Sequence, residues 1–239
     1  MTSVASPDAG PAPSRGASTS CTRRGERLAS RTLRHGLLLL ITGGLGVGTW
    51  LNAGDPATAV DRTSLLTAWL CFGLFVSALA LGPWQALRTA RPLVNDLLRR
   101  DLGIWAALTG LAHLFLATAE VMQPVYFSTY FAVPAGAPLT GWAGWIASSS
   151  IVGGYVIGLL FLVLLGLSNN LSLRHLGSGR WKRLQGLSSV AFLLTAAHGA
   201  VFQVIERRTG VWLAALVVMS IALLALRRRA RRVVAAGAV

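Results

Sequence analysis

Long apolar runs separated by short polar segments dominate the hydropathy pattern of this chain. After a polar opening stretch, the runs cover residues 36–52, 64–87, 102–122, 143–167, 184–205 and 211–226. Each run reaches or approaches the ~20 residues that a helix needs to cross the hydrocarbon core of a bilayer. The pattern predicts an all-α integral membrane protein, folded as a bundle of six transmembrane helices.

Composition agrees with this class. Only 13% of the residues are charged and 54% are hydrophobic, whereas a soluble domain carries roughly 25% charged residues. The net charge of +14 is of a size found in nucleic-acid-binding proteins. Here, however, the basic residues stand in short blocks between the apolar runs, as topology signals do. We therefore expect contact with membrane lipid and no binding of nucleic acid.

The distribution of basic residues predicts the orientation in the membrane. With the N-terminus assigned to the cytoplasm, the cytoplasmic segments carry 19 Lys and Arg residues, and the outer segments carry three. Because Lys and Arg accumulate in cytoplasmic loops, both termini are predicted to be cytoplasmic.

The polar ends of the chain divide it into three parts. Residues 1–31 are rich in Ser, Ala, Pro and Gly and predict a disordered cytoplasmic tail. Residues 32–228 form the membrane domain, and residues 229–239 form a short basic cytoplasmic tail. A signal peptide is the alternative for the beginning of the chain, with Ala57-Thr58-Ala59 as its cleavage pattern. That pattern lies well past the first apolar run, which favours an uncleaved first span.

Few motifs of known chemistry are present. The two cysteines, Cys21 and Cys71, lie in a polar and an apolar segment, so no structural disulfide is expected. The sequence lacks CxxC, CxxCH, HExxH and GxSxG motifs. Zinc, iron–sulfur and hydrolytic sites are therefore poorly supported.

Histidine is the one residue type whose positions suggest a function. His35 and His175 stand in polar segments, whereas His113 and His198 stand inside apolar runs. His113 follows Arg99 by 14 residues and His198 follows Arg183 by 15, so both lie about 20 Å into the membrane. Two imidazoles at one depth, on neighbouring helices that run the same way, suit the two axial positions of a haem iron. Hydrogen bonding between the two helices is the alternative explanation.

Two blocks of residues around these histidines have a spacing that is also found in a known protein family. One is Arg99-Arg100-x-Leu102-Gly103 with Leu111-Ala112-His113. The other contains Leu167-Ser168-Asn169, Arg174-x-Leu176-Gly177, Trp181-x-x-Leu184 and Ala197-His198. Over about residues 35–228 the chain resembles the ferric reductase-like transmembrane domain family. Within that family it is similar to the MsrQ/YedZ group, the haem-bearing membrane subunit of a periplasmic methionine sulfoxide reductase system.

The resemblance implies a haem b protein of the bacterial inner membrane, with His113 and His198 as iron ligands. The chain departs from the family at one position, because the family has a histidine for a second haem where this chain has Gln185. We therefore expect one haem. Trp105 and Trp181 are considered as bridges from the cytoplasmic face, although tryptophans at span ends usually anchor a helix at the interface.

The function expected from the resemblance is electron transfer across the membrane. A quinol or a cytosolic flavoprotein would supply electrons, and a partner protein or ferric iron on the outer side would accept them. Such a chain is a subunit of an oxidoreductase system and not a complete enzyme. Near the outer face, Arg207 and Arg208 are candidates to neutralise haem propionates, and Glu120 is a candidate to contact an acceptor. The alternative is a haem-free membrane protein, either a structural subunit or a small transporter.

Overall fold

The computed structural model describes residues 16–89, 97–123, 127, 141–208 and 210–236, and their side chains from Ala29 onward except at 142 and 143. All regular elements in this part of the chain are α-helices. They are α1 (Gly16–Leu51), α2 (Pro56–Thr89), α3 (Leu97–Val121), α4 (Gly141–Leu167), α5 (Asn170–Gln185), α6 (Leu187–Ile205) and α7 (Val211–Ala236).

Five stretches of the described residues are long and apolar enough to cross a membrane. Four of them correspond to α2, α3, α4 from Gly144, and α7. The fifth runs through α5 and α6 as one length from Asn170 to Ile205. The chain thus has the helices of a multi-pass membrane protein. The first apolar run is helical as part of α1, but α1 is not one of these five stretches. Its glycines and the arginines before the run lower its mean hydropathy.

The helices extend beyond the apolar runs that predicted them. The tail predicted for residues 1–31 is helical from Gly16 onward, and residues 1–15 lie outside the described residues. No proline stands between Gly16 and Leu51, so nothing in the backbone stops the helix before the apolar run begins. The tail predicted for residues 229–239 likewise continues α7 to Ala236.

The segment between the fourth and fifth runs is also helical, where the sequence predicts a loop. Asn169 caps α5 by accepting a hydrogen bond from the Ser172 backbone N–H, which is a favourable start for a helix. Gly177 interrupts α5 with a positive φ of 71° that glycine adopts without a steric penalty.

Antiparallel pairs of helices build the bundle. α2 packs along α3 and also contacts α7, α4 packs against α6, and α3 contacts α4. α1 lies against α2 and α3. A core of aromatic and small side chains joins five of the helices, formed by Cys71, Phe72, Phe75, Leu79, Ala106, Ala107, Ile157, Phe161, Ala191, Phe192, Leu216 and Leu223.

The outer surfaces of the helices carry large apolar side chains. Leu40, Phe115, Leu159 and Val218 all have more than half of their surface exposed. Exposed apolar side chains on this scale mark a surface that faces lipid or another apolar partner. Membrane lipid is the expected contact for helices of this length and composition.

The two ends of the bundle differ in charge. We call one the basic end, where Arg99, Arg100 and Arg183 lie near helix ends and Arg227 follows the apolar run of α7. The other is the acidic end, where Asp61, Glu120 and Glu206 lie. This separation follows the division of basic residues that the sequence analysis used for orientation.

Candidate functional site

His113 of α3 and His198 of α6 face one cavity inside the bundle. The cavity holds about 1370 Å³ of empty space, counting its open mouth, and both imidazoles line it. The sequence predicts that these two histidines belong to one site, and they do share one cavity.

The histidines lie at matching depth. His113 stands eight residues before the end of α3 at Val121, and His198 stands seven residues before the end of α6 at Ile205. At 1.5 Å per residue, both lie about 11 Å from the acidic end. α3 and α6 therefore both run from the basic end to the acidic end, as the sequence predicts.

α3 and α6 do not pack directly against each other. Among the described residues, no Cα atom of α3 lies within 8 Å of one in α6. The sequence predicts that these helices are neighbours, whereas in the structure α2 and α4 each contact both of them.

Both rings are fixed by the same kind of contact. His113 Nδ1 lies 2.9 Å from the backbone carbonyl oxygen of Ser64 on α2 and 3.2 Å from the Ser64 hydroxyl. His198 Nδ1 lies 2.9 Å from the backbone carbonyl oxygen of Ser150 on α4 and 3.1 Å from the Ser150 hydroxyl. A carbonyl oxygen only accepts, so Nδ1 carries the proton and donates it in both rings.

This tautomer leaves Nε2 with a free lone pair in each imidazole. Metal-binding histidines usually donate the other ring N–H to a carbonyl or carboxylate, which orients the ring and raises its basicity. The two serine carbonyls supply this support from α2 and α4. The arrangement can therefore present two neutral, oriented nitrogen ligands to one metal ion or metal-bearing cofactor.

Three glycines keep the cavity wall close to the rings and to one another. A Cβ atom on Gly154 would lie 3.1 Å from His198 Cε1, and one on Gly158 would lie 2.5 Å from Leu114 Cδ2. A Cβ on Gly110 would lie 2.9 Å from Cys71 Sγ and 3.0 Å from the Phe161 ring. Small residues of this kind let membrane helices approach closely.

The donor set suits an axial pair better than a metal cage. Within the part of the chain that the structure describes, no group of three or more His, Cys, Asp or Glu residues is placed to hold a metal ion. Zinc and Fe–S sites usually need three or four such ligands. A haem iron takes four ligands from its porphyrin and only two from the protein. The histidines and the apolar cavity around them fit that requirement.

The mouth of the cavity at the acidic end is polar. Asp61, Glu120, Gln203, Glu206 and Arg208 all line it. Arg208 donates to Asp61 at 3.0 Å and to Glu206 at 2.8 Å. These two ion pairs already engage the guanidinium that the sequence analysis assigns to haem propionates.

At the mouth of the cavity, burial raises the pKa of the Glu206 carboxyl, although the positive charge of Arg208 acts to lower it. Arg207 adopts a positive φ of 53° in the turn after α6. Gln203 is buried, and its Oε1 atom has no hydrogen-bond partner in the described residues.

A second polar cluster, at the basic end, joins α1 to α3. The Asp101 carboxylate is fully buried, and both of its oxygens accept from arginines of α1. Arg31 donates at 2.8 and 3.2 Å, and Arg34 donates at 3.0 and 3.2 Å. His35 Nε2 lies 3.3 Å from the same carboxylate, and His35 Nδ1 accepts from Trp105 Nε1 at 2.9 Å.

The role of Asp101 is not predicted from the sequence. The available signal is a single carboxylate among arginines at the start of an apolar run, since an isolated charge there needs a partner. Trp105 and Trp181 are also tied by hydrogen bonds, Trp181 to the Leu167 carbonyl oxygen at 2.9 Å. Both indoles therefore serve as anchors between helices.

Of the remaining predicted residues, His175 and Gln185 do not line the cavity, whereas Cys71 does. His175 is exposed on α5, and Gln185 is the last residue of that helix, before the kink into α6. Thirteen residues, about 20 Å of helix, separate Gln185 from His198. Cys71 is buried, free and part of the cavity wall. The side chain of Cys21 lies outside the described residues.

Comparison of the chain with models of protein families, with curated proteins and with solved structures found no match. The resemblance to the ferric reductase-like family thus rests on the residues quoted above.

Proposed function

We propose that this chain is a transmembrane haem b protein that carries electrons to an acceptor on the outer side of the bacterial inner membrane. His113 and His198 bind the iron. The observation that carries the proposal is the matched pair of imidazoles on one cavity, each with Nδ1 bound to a serine carbonyl and Nε2 left to coordinate. When bound, a haem supplies one-electron chemistry between ferric and ferrous iron.

The protein's own residues orient the ligands and exclude water. Ser64 on α2 and Ser150 on α4 hold the two rings, and both Nδ1 atoms keep their protons. Phe72, Phe161 and Cys71 give the cavity an apolar wall away from its mouth. A site of low dielectric constant with neutral nitrogen ligands favours electron transfer without proton exchange at the ligands.

The depth of the histidines favours exchange on one side. They lie about 11 Å from the acidic end, whereas 16 residues of α3, about 24 Å, separate His113 from Leu97 at the basic end. With the basic end in the cytoplasm, the six-span arrangement puts the site near the outer face. A partner protein or ferric iron there would accept electrons. A quinol that approaches within the membrane suits the distance from the cytoplasm better than a cytosolic flavoprotein.

The absorption spectrum of the purified full-length protein tests the haem proposal. We expect a Soret band in the wild type that shifts on reduction with dithionite, at one haem per chain by pyridine haemochrome assay. The variants H113A and H198A should each lose most of this absorbance. The matched control H175A, which removes an exposed histidine, should keep it.

Two results would contradict the proposal. One is a wild-type protein without a Soret band after expression with added haem precursor, which would favour the haem-free structural subunit or transporter. The other is equal haem content in H113A, H198A and H175A. A content of two haems per chain would contradict the expectation that Gln185 removes the second site.

A further inference from the structure

Two polar side chains at the mouth of the cavity lack partners. The Glu120 carboxylate on α3 forms no hydrogen bond or ion pair within the described residues. Gln203 on α6 is 7% exposed, and neither its Oε1 nor its Nε2 atom is bonded to a described residue. Both side chains line the cavity. Leaving a buried polar group unpaired is unfavourable, and more so for a charged group, so both side chains favour a bound ligand.

The two side chains lie at one depth on different helices. Glu120 is one residue before the end of α3, and Gln203 is two residues before the end of α6. Glu120 is seven residues beyond His113, and Gln203 is five residues beyond His198. These intervals correspond to about 10 and 8 Å along the helix axes. A ligand held by Glu120 and Gln203 would therefore lie between the histidines and the acidic end.

The mouth carries more negative than positive charge. Asp61, Glu120 and Glu206 line the cavity, and Arg208 is the only Lys or Arg among the described residues that line it. The Nη2 atom of Arg208 makes both ion pairs, at 3.0 Å to Asp61 and at 2.8 Å to Glu206. Two carboxylates thus share one guanidinium, and Glu120 is left without a cation. A cleft lined by an excess of one charge attracts ligands of the opposite charge, so this mouth favours a cation.

The donor set and the walls indicate the kind of cation. A metal ion is poorly suited, because no group of three or more His, Cys, Asp or Glu residues in the described part of the chain is placed to hold one. An ammonium group instead binds through its N–H donors, for which a carboxylate and an amide oxygen are suitable acceptors. The aromatic rings of Tyr155 and Phe202 line the same cavity. Such rings suit an alkyl chain and attract a cation through their faces.

We propose that the mouth of the cavity binds a small organic cation, whose ammonium group pairs with the Glu120 carboxylate and donates to the Gln203 amide oxygen. Because neither amide atom of Gln203 is engaged, the amide can turn to present its oxygen to the ligand. The alkyl part of the ligand contacts the rings of Tyr155 and Phe202. The proposal does not depend on haem.

The test uses the full-length protein in phosphatidylcholine nanodiscs, with butylammonium as the probe. Saturation-transfer NMR titrations give its dissociation constant for the wild type, E120Q, Q203M and D55N, and empty nanodiscs supply the blank. D55N is the matched control, because Asp55 does not line the cavity and its loss changes the net charge as E120Q does. Asparagine also keeps the cap that Asp55 provides to the Thr58 backbone N–H. Butanol and Mg²⁺ are the neutral probe and the metal probe.

We expect the wild type and D55N to bind butylammonium equally, and to bind neither butanol nor Mg²⁺ to a comparable degree. E120Q should bind butylammonium roughly 10-fold more weakly and Q203M roughly 5-fold more weakly, from the loss of one charged and one neutral hydrogen bond. Without the probe, both variants should unfold at no lower temperature than the wild type, since neither side chain loses a partner. Both should also keep the Soret absorbance of the wild type, which separates this test from that of haem binding.

Several results would overturn the proposal. Equal weakening in E120Q and D55N would indicate diffuse attraction by net charge, and unchanged affinity in E120Q would exclude its carboxylate. Butanol binding as tight as that of butylammonium would indicate an apolar pocket, and tighter binding of Mg²⁺ that E120Q abolishes would indicate a metal site. A wild type that binds no butylammonium at neutral or mildly alkaline pH would show that Glu120 has no need of a cation.

Discussion

Replacing Asp101 with asparagine tests whether charge holds α1 to the bundle. In the wild type, the buried carboxylate accepts four hydrogen bonds from Arg31 and Arg34. Asparagine has nearly the same shape but no charge, and its amide nitrogen is a donor that cannot replace a carboxylate oxygen. At least one arginine of α1 therefore loses its partner in D101N.

The expected loss of stability follows from how far the three groups are buried. Breaking a buried ion pair by removing one partner costs about 3–5 kcal/mol. The side chain of Asp101 is 0% exposed, but those of Arg31 and Arg34 are 27% and 30% exposed. Because the arginines regain water in the variant, we expect about 2–3 kcal/mol. For a chain of this size, that lowers the unfolding midpoint by roughly 4–12 °C.

Thermal unfolding in one detergent at one scan rate measures the difference between wild type and D101N. D61N is the matched control, because the ion pair of Asp61 with Arg208 is more exposed and exposed pairs are worth about 0–1 kcal/mol. The triple variant R31Q/R34Q/D101N should be no less stable than D101N, because the three residues form one network. A D101N midpoint no lower than that of D61N would refute the reasoning.

Two further predictions concern the cavity. In G154A, the new Cβ would lie 3.1 Å from His198 Cε1, so we expect a lower haem content or a shifted Soret band. The control G153A has no atom within 4 Å of its new Cβ and should match the wild type. Identical spectra for the wild type and both variants would contradict this prediction. Burial raises the pKa of Glu206 above its ordinary 4.5, so the folded protein binds the proton of this carboxyl more tightly than the unfolded chain does. The protonated carboxyl therefore contributes to stability at low pH, and this contribution is lost as the pH rises through the raised pKa. E206Q should flatten the decline of the unfolding midpoint above pH 4.5, and an unchanged slope would count against the assignment.

The helices could be predicted from the sequence because their signal is local. Apolar runs of about 20 residues have few structural solutions, and the five candidate spans overlap five of the six runs. The helical ends were harder to place, since a helix does not stop where its apolar residues stop. α5 shows this most clearly. It is polar, so no apolar run predicts it, yet Asn169 caps its beginning and the helix leads directly into α6.

The site was predictable only in part. The isolation of His113 and His198 in apolar runs drew attention to them, and helix geometry gave their depth. Their partners could not be found in the same way, because Ser64 and Ser150 act through backbone carbonyls that every residue has. The importance of Gly154 and of Asp101 depends on which helices pack together, and a single sequence does not show this. The binding of haem stays a prediction.

The attachment of α1 to Asp101 has a consequence for biogenesis. Arg31 and Arg34 precede Asp101 by 70 and 67 residues, so a ribosome completes both α1 and α2 before the carboxylate exists. Until then the arginines of α1 have to stay hydrated at the edge of the bilayer, since desolvating them alone is unfavourable. The first helix to be synthesised thus reaches its final position only after the start of α3 has been made.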